Sequence, residues 1–555
     1  MNVSPSPIFS FQFLPLLHSW AIRWKGWMVA GLAMTLVMYN ALAIWDYGVA
    51  IIDGVTYFIL DDDIMISMRY ARNLAQGVGL VYNEGEHVEG FTNPLLTLIA
   101  AGLHLLPMPL PTVSLGLMLV NIGFSLSIVY ILTRFWEDRG QDVLAGLFAA
   151  MLYVTLPNHS WHAHAGYEVY MFMAILLFSI WRIEHLRVTD ALIVGLLPLT
   201  HSIALGMWAV LVASIYFLTE APATRRLLLM AVTLLPFGIY MLFRILYYQD
   251  FLPNTAWLKV GAGSVSGGLV YTKAWLNTVL PIATLALYTL FTCRDKKTIL
   301  LGVLLVAHTG AVIVVGGDIF YEFRFLFPCS LLLAALAGRG VSFLLRRAVT
   351  LSPGEGAYLC FLLAAVIGYT SVWSVFTHYR KTSNDYEADR QWNIRHIVMG
   401  NALKENTPSA ARAALFGLGH TGYYSERSII DMLGKADPHI ARVKSTPNRH
   451  IGHSKTDFDY VIGLAPDYIE ESVPPCKLSN VTYLEEQRKV NPYGYTFDLA
   501  LHQAFRKMYA PRIVDNHGHF VQFYVRLPSE NLVWKISESY YESLEPWSKK
   551  MCEGA

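Results

Sequence analysis

Asp61-Asp62-Asp63-Ile64-Met65-Ile66-Ser67-Met68-Arg69-Tyr70-Ala71-Arg72-Asn73 follows the first long apolar run, Trp27 to about Ile44. A second polar stretch, Gly85-Glu86-His87-Val88-Glu89-Gly90-Phe91-Thr92-Asn93, comes shortly after it. Carboxylates beside hydrocarbon are costly unless paired or hydrated, so three in a row next to a span mark a functional site. The simplest structural role is capping. Asp61 or Asp62 starts a helix running to Gln76, and Gly77 supplies the left-handed stop. One carboxylate suffices for a cap, and three are present. Neighbouring carboxylates raise one another's proton affinity, which suits one of them to act as a base.

Composition extends the membrane reading to the whole chain. Of 555 residues 54% are hydrophobic and only 15% charged, against roughly a quarter charged in soluble domains. Lys plus Arg number 42 and Asp plus Glu 41, so no basic surplus points to nucleic acid. Cys293, Cys329 and Cys360 lie in or beside apolar runs and read as small hydrophobes. Cys476 and Cys552 lie in the polar C-terminal part and are free to pair only if that part faces an oxidising compartment. No cleavable signal is evident, because the first apolar run is long enough to span and lacks a small-residue cleavage site.

Apolar runs near 27–45, 112–133, 143–157, 167–181, 189–200, 203–219, 227–246, 269–291, 298–315, 325–344 and 357–377 give about eleven spans. The run 94–107 is shorter, ends in Pro107, Pro109 and Pro111, and is not counted. With that count Arg23/Lys25, Arg134/Arg139, Arg182/Arg187, Arg225/Arg226, Arg294/Lys296/Lys297 and Arg346/Arg347 all fall on one side, the cytoplasmic one. The opposite face then collects the first loop, about 46–111, and everything after the last span. The expected architecture is an α-helical polytopic membrane domain, 1–379, and a C-terminal extracytoplasmic α/β domain, 380–555. In the latter Asn384 to about Glu405 suits a helix, while Ala414–Leu418, Tyr460–Leu464 and Phe520–Val525 read as short strands.

Further polar constellations fall on the same outer face. Gly316-Gly317-Asp318 with Arg324-Phe325 joins two apolar runs; Arg at the mouth of a span either snorkels or takes a phosphate bidentately. Leu252-Pro253-Asn254-Thr255 with Lys259 makes a turn whose Asn254 and Lys259 suit sugar hydroxyls or phosphate. His159, His162, His164 and Glu168 surround Trp161 and Tyr167, at a spacing that fits neither a zinc ribbon nor a His-Glu-x-x-His helix. The aromatics there either stack on a sugar or form an interfacial belt.

Taken together, these blocks resemble the GT-C membrane glycosyltransferases that use polyprenyl-phosphate sugars. Within that group they are most similar to the bacterial, mycobacterial-type terminal β-(1→2) arabinofuranosyltransferase family. The likeness rests on Asp62-Asp63-x-x-Ile66-Ser67-x-Arg69-Tyr70-Ala71-Arg72-Asn73-Leu74 and Gly79-Leu80-Val81-Tyr82-Asn83-x-Gly85-Glu86-x-Val88-Glu89-Gly90-Phe91-Thr92-Asn93. It continues through Leu252–Lys259, Gly316–Phe325, Asp431-x-Leu433-Gly434-x-x-Asp437-Pro438-x-Ile440-Ala441-Arg442, Gly452-His453-x-Lys455 and Asp467-Tyr468-Ile469. The chain departs from the pattern at Gly166-Tyr167-Glu168-Val169, where relatives carry Gly-Leu-Glu-Thr. It departs again at His201-Ser202-Ile203, where they carry Arg-Pro-Glu.

The resemblance implies an inverting transfer in which Asp62 or Asp63 takes the proton of an acceptor hydroxyl. Arg69, Asn254, Lys259, Asp318, Arg324, Glu168 and His201 would then serve the donor's phosphate and sugar. Asp61, Glu89, Asn93 and Trp161 would support the acceptor side. The resemblance fixes no cofactor, and a divalent cation on Asp62 and Asp63 is left open. The implied partners are a polyprenyl-phosphate sugar, membrane lipid and a glycan, lipopolysaccharide or protein acceptor. The implied place is a bacterial inner membrane, with the active site outside. Sugar, acceptor and linkage stay open, with arabinofuranose first. The alternatives are a hexosyl- or mannosyltransferase, a ligase moving a lipid-linked glycan and, more remotely, a transporter, against which the absence of an internal repeat speaks.

Overall fold

A computed structural model describes residues 13–137, 142–156, 159–260, 264–318, 322–348, 351, 354–361, 363–365, 368–369, 372, 386–447, 449, 452–470, 481–491 and 493–527. Cys476 and Cys552, and with them the expected pairing, lie outside the described residues. The chain forms two compact units. One comprises 1–49, 115–241 and 264–388; the other comprises 50–114, 242–263 and 389–555. The break expected after 379 lies among undescribed residues. Contacts set the boundary after Ala388 and draw the first loop and 242–263 into the C-terminal unit.

The first unit is helical. By length and composition six described helices can cross a membrane: Ser19–Tyr47, Leu110–Phe135, Ala223–Tyr248, Val265–Thr292, Lys296–Val315 and Phe327–Ala348. Four further expected spans fold as shorter helices, Val143–Val154, Val169–Arg182, Val188–Gly195 and Leu205–Leu218. None reaches the roughly 20 residues of a straight crossing. The runs between Val188 and Leu218 are broken by 3-10 turns at Leu197–Leu199 and Ser202–Ala204. The expected span 357–377 is described only in pieces, with a short apolar helix over Gly354–Ala365. Phe327–Ala348 is the central helix and packs along Val143–Val154 and Val265–Thr292. The approach to Val143–Val154 is so close that a Cβ on Gly338 would sit 2.4 Å from the backbone nitrogen of Ala149. Small residues at such contacts let helix backbones touch, the usual source of cohesion between helices in lipid.

The second unit carries the first loop and the C-terminal sheet. A hairpin of β1, Val49–Ile52, and β2, Val55–Phe58, precedes the helix Asp62–Ala75. The uncounted run 94–107 folds as the short helix Pro94–His104. The expected helix after 384 spans Glu387–Asn406. The sheet contains β3 (Arg412–Leu415), β4 (Ser428–Asp431), β5 (Tyr468–Glu470), β6 (Tyr509–Asn516) and β7 (His519–Arg526). Their order is β4-β3-β5-β7-β6; β3 is parallel to β4 and β5, and β7 is antiparallel to β5 and β6. Ala414, Ile430, Ile440, Val461, Ile469, Leu499 and Tyr524 form its core. Tyr460–Leu464, expected as a strand, lies instead on the helix Phe458–Gly463. Asp457 accepts the Tyr460 N–H at 3.0 Å and fixes that start, a capping signal that outweighs the short apolar run.

Candidate active site

The acidic triplet divides its roles among three different environments. Asp61 is the cap: its side chain accepts the backbone N–H of Asp63 at 3.0 Å, opening the helix Asp62–Ala75. Asp62 is held by the C-terminal sheet's first crossover. Its Oδ2 accepts the Gly419 N–H at 3.1 Å and its Oδ1 the His420 N–H at 2.8 Å, with His420 Nδ1 3.4 Å away. A Cβ on residue 419 would lie 1.9 Å from the Asp62 carbonyl oxygen, so glycine is required for this approach. An ionised carboxylate only accepts, which assigns the proton of His420 to Nδ1.

Behind this contact lies a second charged pair. His396 Nε2 is 3.1 Å from Glu470 Oε1, and its Nδ1 is 2.8 Å from the Trp392 carbonyl. The other Glu470 oxygen accepts the N–H groups of Phe416 and Gly417 at 2.6 and 3.0 Å. Burial opposes the imidazolium of His396, but Glu470, and then Asp62, outweigh it and raise its pKa. Burial likewise works against the Asp62 anion. The His420 side-chain hydrogen bond and the His396 charge win, and hold it well below the usual carboxylate range. His420 is shifted down by burial, despite Asp62. Asp62 is therefore held as an anion whose two oxygens already accept backbone N–H groups.

Asp63 differs. Its carboxylate pairs with Lys435, and the two side chains keep 31% and 16% exposure. The loop that carries Lys435 is tied down residue by residue. Asp431 accepts the N–H groups of Leu433, Gly434 and Ala436. Asn254 Nδ2 donates to the carbonyls of Gly434, Lys435 and Asp437 at 2.9, 3.1 and 3.0 Å, and its Oδ1 accepts from Arg442. The Asn254 N–H donates in turn to the Glu89 carbonyl, while the Glu89 carboxylate takes Arg244 on both oxygens.

The other expected residues of this unit are integrated in the fold. Arg69 is buried and donates to the carbonyls of Tyr82, Gly422 and Arg427 and to Asn83 Oδ1. Its guanidinium lies 4.3 Å from the Tyr82 ring centre. Asp62 and Arg69 thus reach different partners. Asn93 accepts from Ser67 Oγ at 2.8 Å. Lys259 ends the short helix Asn254–Lys259 and is partly exposed.

A separate constellation lies in the first unit. Arg324 meets Asp318 through two hydrogen bonds of 2.9 and 3.3 Å, and its guanidinium lies 4.4 Å over Tyr167. Tyr167 stacks on Trp161 with centroids 5.3 Å apart. His201 Nε2 lies 3.9 Å from Glu168 Oε1, while its Nδ1 accepts the Ile203 N–H at 3.1 Å. The histidines diverge: His159 meets Tyr170, His162 packs on Phe327, and His164 on Tyr47 and Tyr386. Among the described residues no three His, Cys, Asp or Glu side chains converge to hold a metal.

Four residues of the site were missed in the sequence. Lys435 fell on an unspecified position inside the Asp431–Arg442 block, and His396, His420 and Glu470 belong to no recognisable spacing. Only the glycine pattern Gly417-Leu418-Gly419 before His420 hints at a close approach.

Three comparisons with known proteins bear on this geometry. Residues 381–524 match a family described as a domain of unknown function, DUF8728. A terminal β-(1→2)-arabinofuranosyltransferase of Mycobacterium tuberculosis (strain ATCC 25618 / H37Rv) is 29% identical over 269 residues, 44% of this chain and 42% of the relative. The chain thus spans less than half the length of the curated relative it matches. Crystal structures of ArnT from Cupriavidus metallidurans superpose with TM-scores of 0.54, bound to undecaprenyl phosphate, and 0.53, in the apo state. Both cover 90% of this chain and 98% of theirs at 13% identity. The chain therefore shares the fold of ArnT, helical with a small C-terminal sheet.

Proposed function

We propose that this chain is an inverting glycosyltransferase of the EC 2.4 class that moves a sugar, arabinofuranose first among candidates, from a polyprenyl phosphate to a cell-envelope glycan. The observation that carries the reading is the contrast between Asp62 and Asp63 on one helix start. Asp62 is locked by backbone N–H groups, whereas Asp63 is partly exposed and pairs with the Lys435 side chain. Such a pair supplies one rigid anion and one carboxylate able to take a proton. The named activity of the mycobacterial relative and the undecaprenyl phosphate of the similar structure support the donor class.

Asp63 is the base. As it removes the acceptor's proton, the acceptor oxygen bonds to the anomeric carbon and the bond to phosphate breaks, inverting the centre. A positioned base contributes about 10²–10⁴-fold. Charge developing on the phosphate calls for preorganised cations. Within the first unit Arg324, stacked and oriented by Asp318, has the chemistry for a phosphate, and Glu168 and His201, with Trp161 and Tyr167 as a stacking surface, that for a sugar; Lys259 is a candidate cation of the second unit. Arg69, Asn254, Glu89 and Asn93 hold the frame. Asp62 and Asp63 remain the candidate cation ligands, though Asp62's oxygens already accept from the protein; undiminished activity in EDTA would remove the cation. The outer face of a bacterial inner membrane is the place the charge clusters favour.

The test is transfer by purified protein from a panel of polyprenyl-phosphate sugars, read by product mass. A pentose increment lost in Asp63→Asn supports the reading. A hexose increment moves the enzyme to another donor, and no transfer from any donor overturns it.

A further inference from the structure

Lys435 has the features of a ligand-binding group rather than of a structural one. Its backbone is immobilised by the Asp431 cap and by Asn254, so the only freedom left is in the side chain. That side chain reaches a partly exposed position at the start of the acidic helix. Among the described residues its ammonium makes one hydrogen bond, to Asp63, out of the three an ammonium offers. Two segments far apart in sequence, 252–259 and 431–442, converge to build this single bracket. Burial works against the Lys435 cation, but Asp63, then Asp62 and Asp431, keep it charged. Arg69, by contrast, is surrounded by carbonyl acceptors and has no such reach.

We infer that Lys435 binds the phosphate of the lipid donor, and that the donor takes this lysine from Asp63, so that one event neutralises the phosphate and removes the cation from the base. The inference rests on the transferase reading above. Without donor the lysine stays on the Asp63 carboxylate. With donor the ammonium turns to the phosphodiester oxygen, a compact cation suited to a phosphate charge. In the transfer the acceptor's proton passes to Asp63, the acceptor oxygen bonds the anomeric carbon, and the electron pair of the broken bond stays on phosphate. The phosphodiester monoanion thereby becomes a phosphomonoester with one more negative charge, and attraction to Lys435 grows along the reaction. An interaction that strengthens in this way lowers the barrier rather than merely tightening binding.

The experiment is equilibrium binding of undecaprenyl phosphate to the full chain in detergent, with undecaprenol and inorganic phosphate as probes. Lys435→Met should weaken undecaprenyl phosphate binding about tenfold, the scale of one charge-assisted hydrogen bond. Asp63→Asn should tighten it about threefold, because the lysine no longer has a competitor, and Lys435→Arg should retain much of the affinity. A shift of the same sign with inorganic phosphate supports phosphate as the recognised group; the same shift with undecaprenol overturns the inference. Unchanged binding in Lys435→Met, or weaker binding in Asp63→Asn, also overturns it. The Asp63→Asn arm decides the matter even if Lys435→Met does not fold. Wild-type protein that ignores undecaprenyl phosphate would instead bring down the transferase reading itself.

Discussion

The region around Asp62 and the region around Arg324 use charge in opposite ways. In the first, charged side chains are tied to the backbone: Asp62 to Gly419 and His420, Glu470 to Phe416 and Gly417, Arg69 to three carbonyls. In the second they are tied to one another and to rings, Arg324 to Asp318 and Tyr167, His201 to Glu168. A group bound to backbone cannot be released without unfolding that segment, because buried carbonyls and N–H groups would lose their partners. A group bound to another side chain can exchange it for a ligand. Asp63 with Lys435 is the exception that brings the second kind of contact into the first region.

The largest effect expected is on Asp63. Asp63→Asn should lower the transfer rate about 10²–10⁴-fold with little change in thermal stability. Equal loss of stability would place Asp63 with the backbone-tied groups and break the contrast. Arg69→Met should act the other way round, destabilising the protein by about 3 kcal/mol because buried carbonyls are left unpaired. A melting curve in detergent reads this directly. Arg324→Lys should keep the protein folded yet raise the donor KM about tenfold, since an ammonium cannot reproduce the two-point contact with Asp318 and the stack on Tyr167.

Glu470→Gln sharpens the comparison through pH. The pKa of His396 is raised in the folded protein, chiefly by Glu470 working against burial. The stability this contributes is fully present below the unfolded value, about 6.5, and fades as pH rises through the folded one. The variant should melt on the order of 2–4 °C lower at pH 6, with the difference shrinking by pH 9. A pH-independent difference would show that Glu470 acts through its backbone contacts alone. The smallest effect belongs to His201→Ala, about threefold on donor KM; unaltered KM would detach that residue from the donor.

Local signals were legible in the sequence. Asp61 caps the acidic helix, Gly77 lies past its end with φ +78°, and the helix expected after 384 forms over Glu387–Asn406. The run 94–107, not counted as a span, folds as a helix of 11 residues. What could not be read depends on distance along the chain. Nothing in the pattern around Asp62 announces Gly419 and His420, and nothing around Asn254 announces the carbonyls of Gly434, Lys435 and Asp437. Arg69 and Asn254 carry residue types suited to phosphate and sugar, but the fold uses the same hydrogen bonds internally. Residue type gives the chemistry available; only tertiary structure tells which partner receives it.

The bond between Asp62 and His420 joins positions 358 residues apart. At about 5–20 residues per second, the ribosome takes roughly 20–70 s to make the second after the first. Throughout that interval the first loop has already emerged, with its carboxylates and arginines lacking the sheet that will receive them. The nascent loop therefore depends on water and lipid headgroups, or on a chaperone, until the last quarter of the chain arrives. A chain stopped before residue 412 would be expected to insert its helices and still present an unfinished first loop to proteolysis.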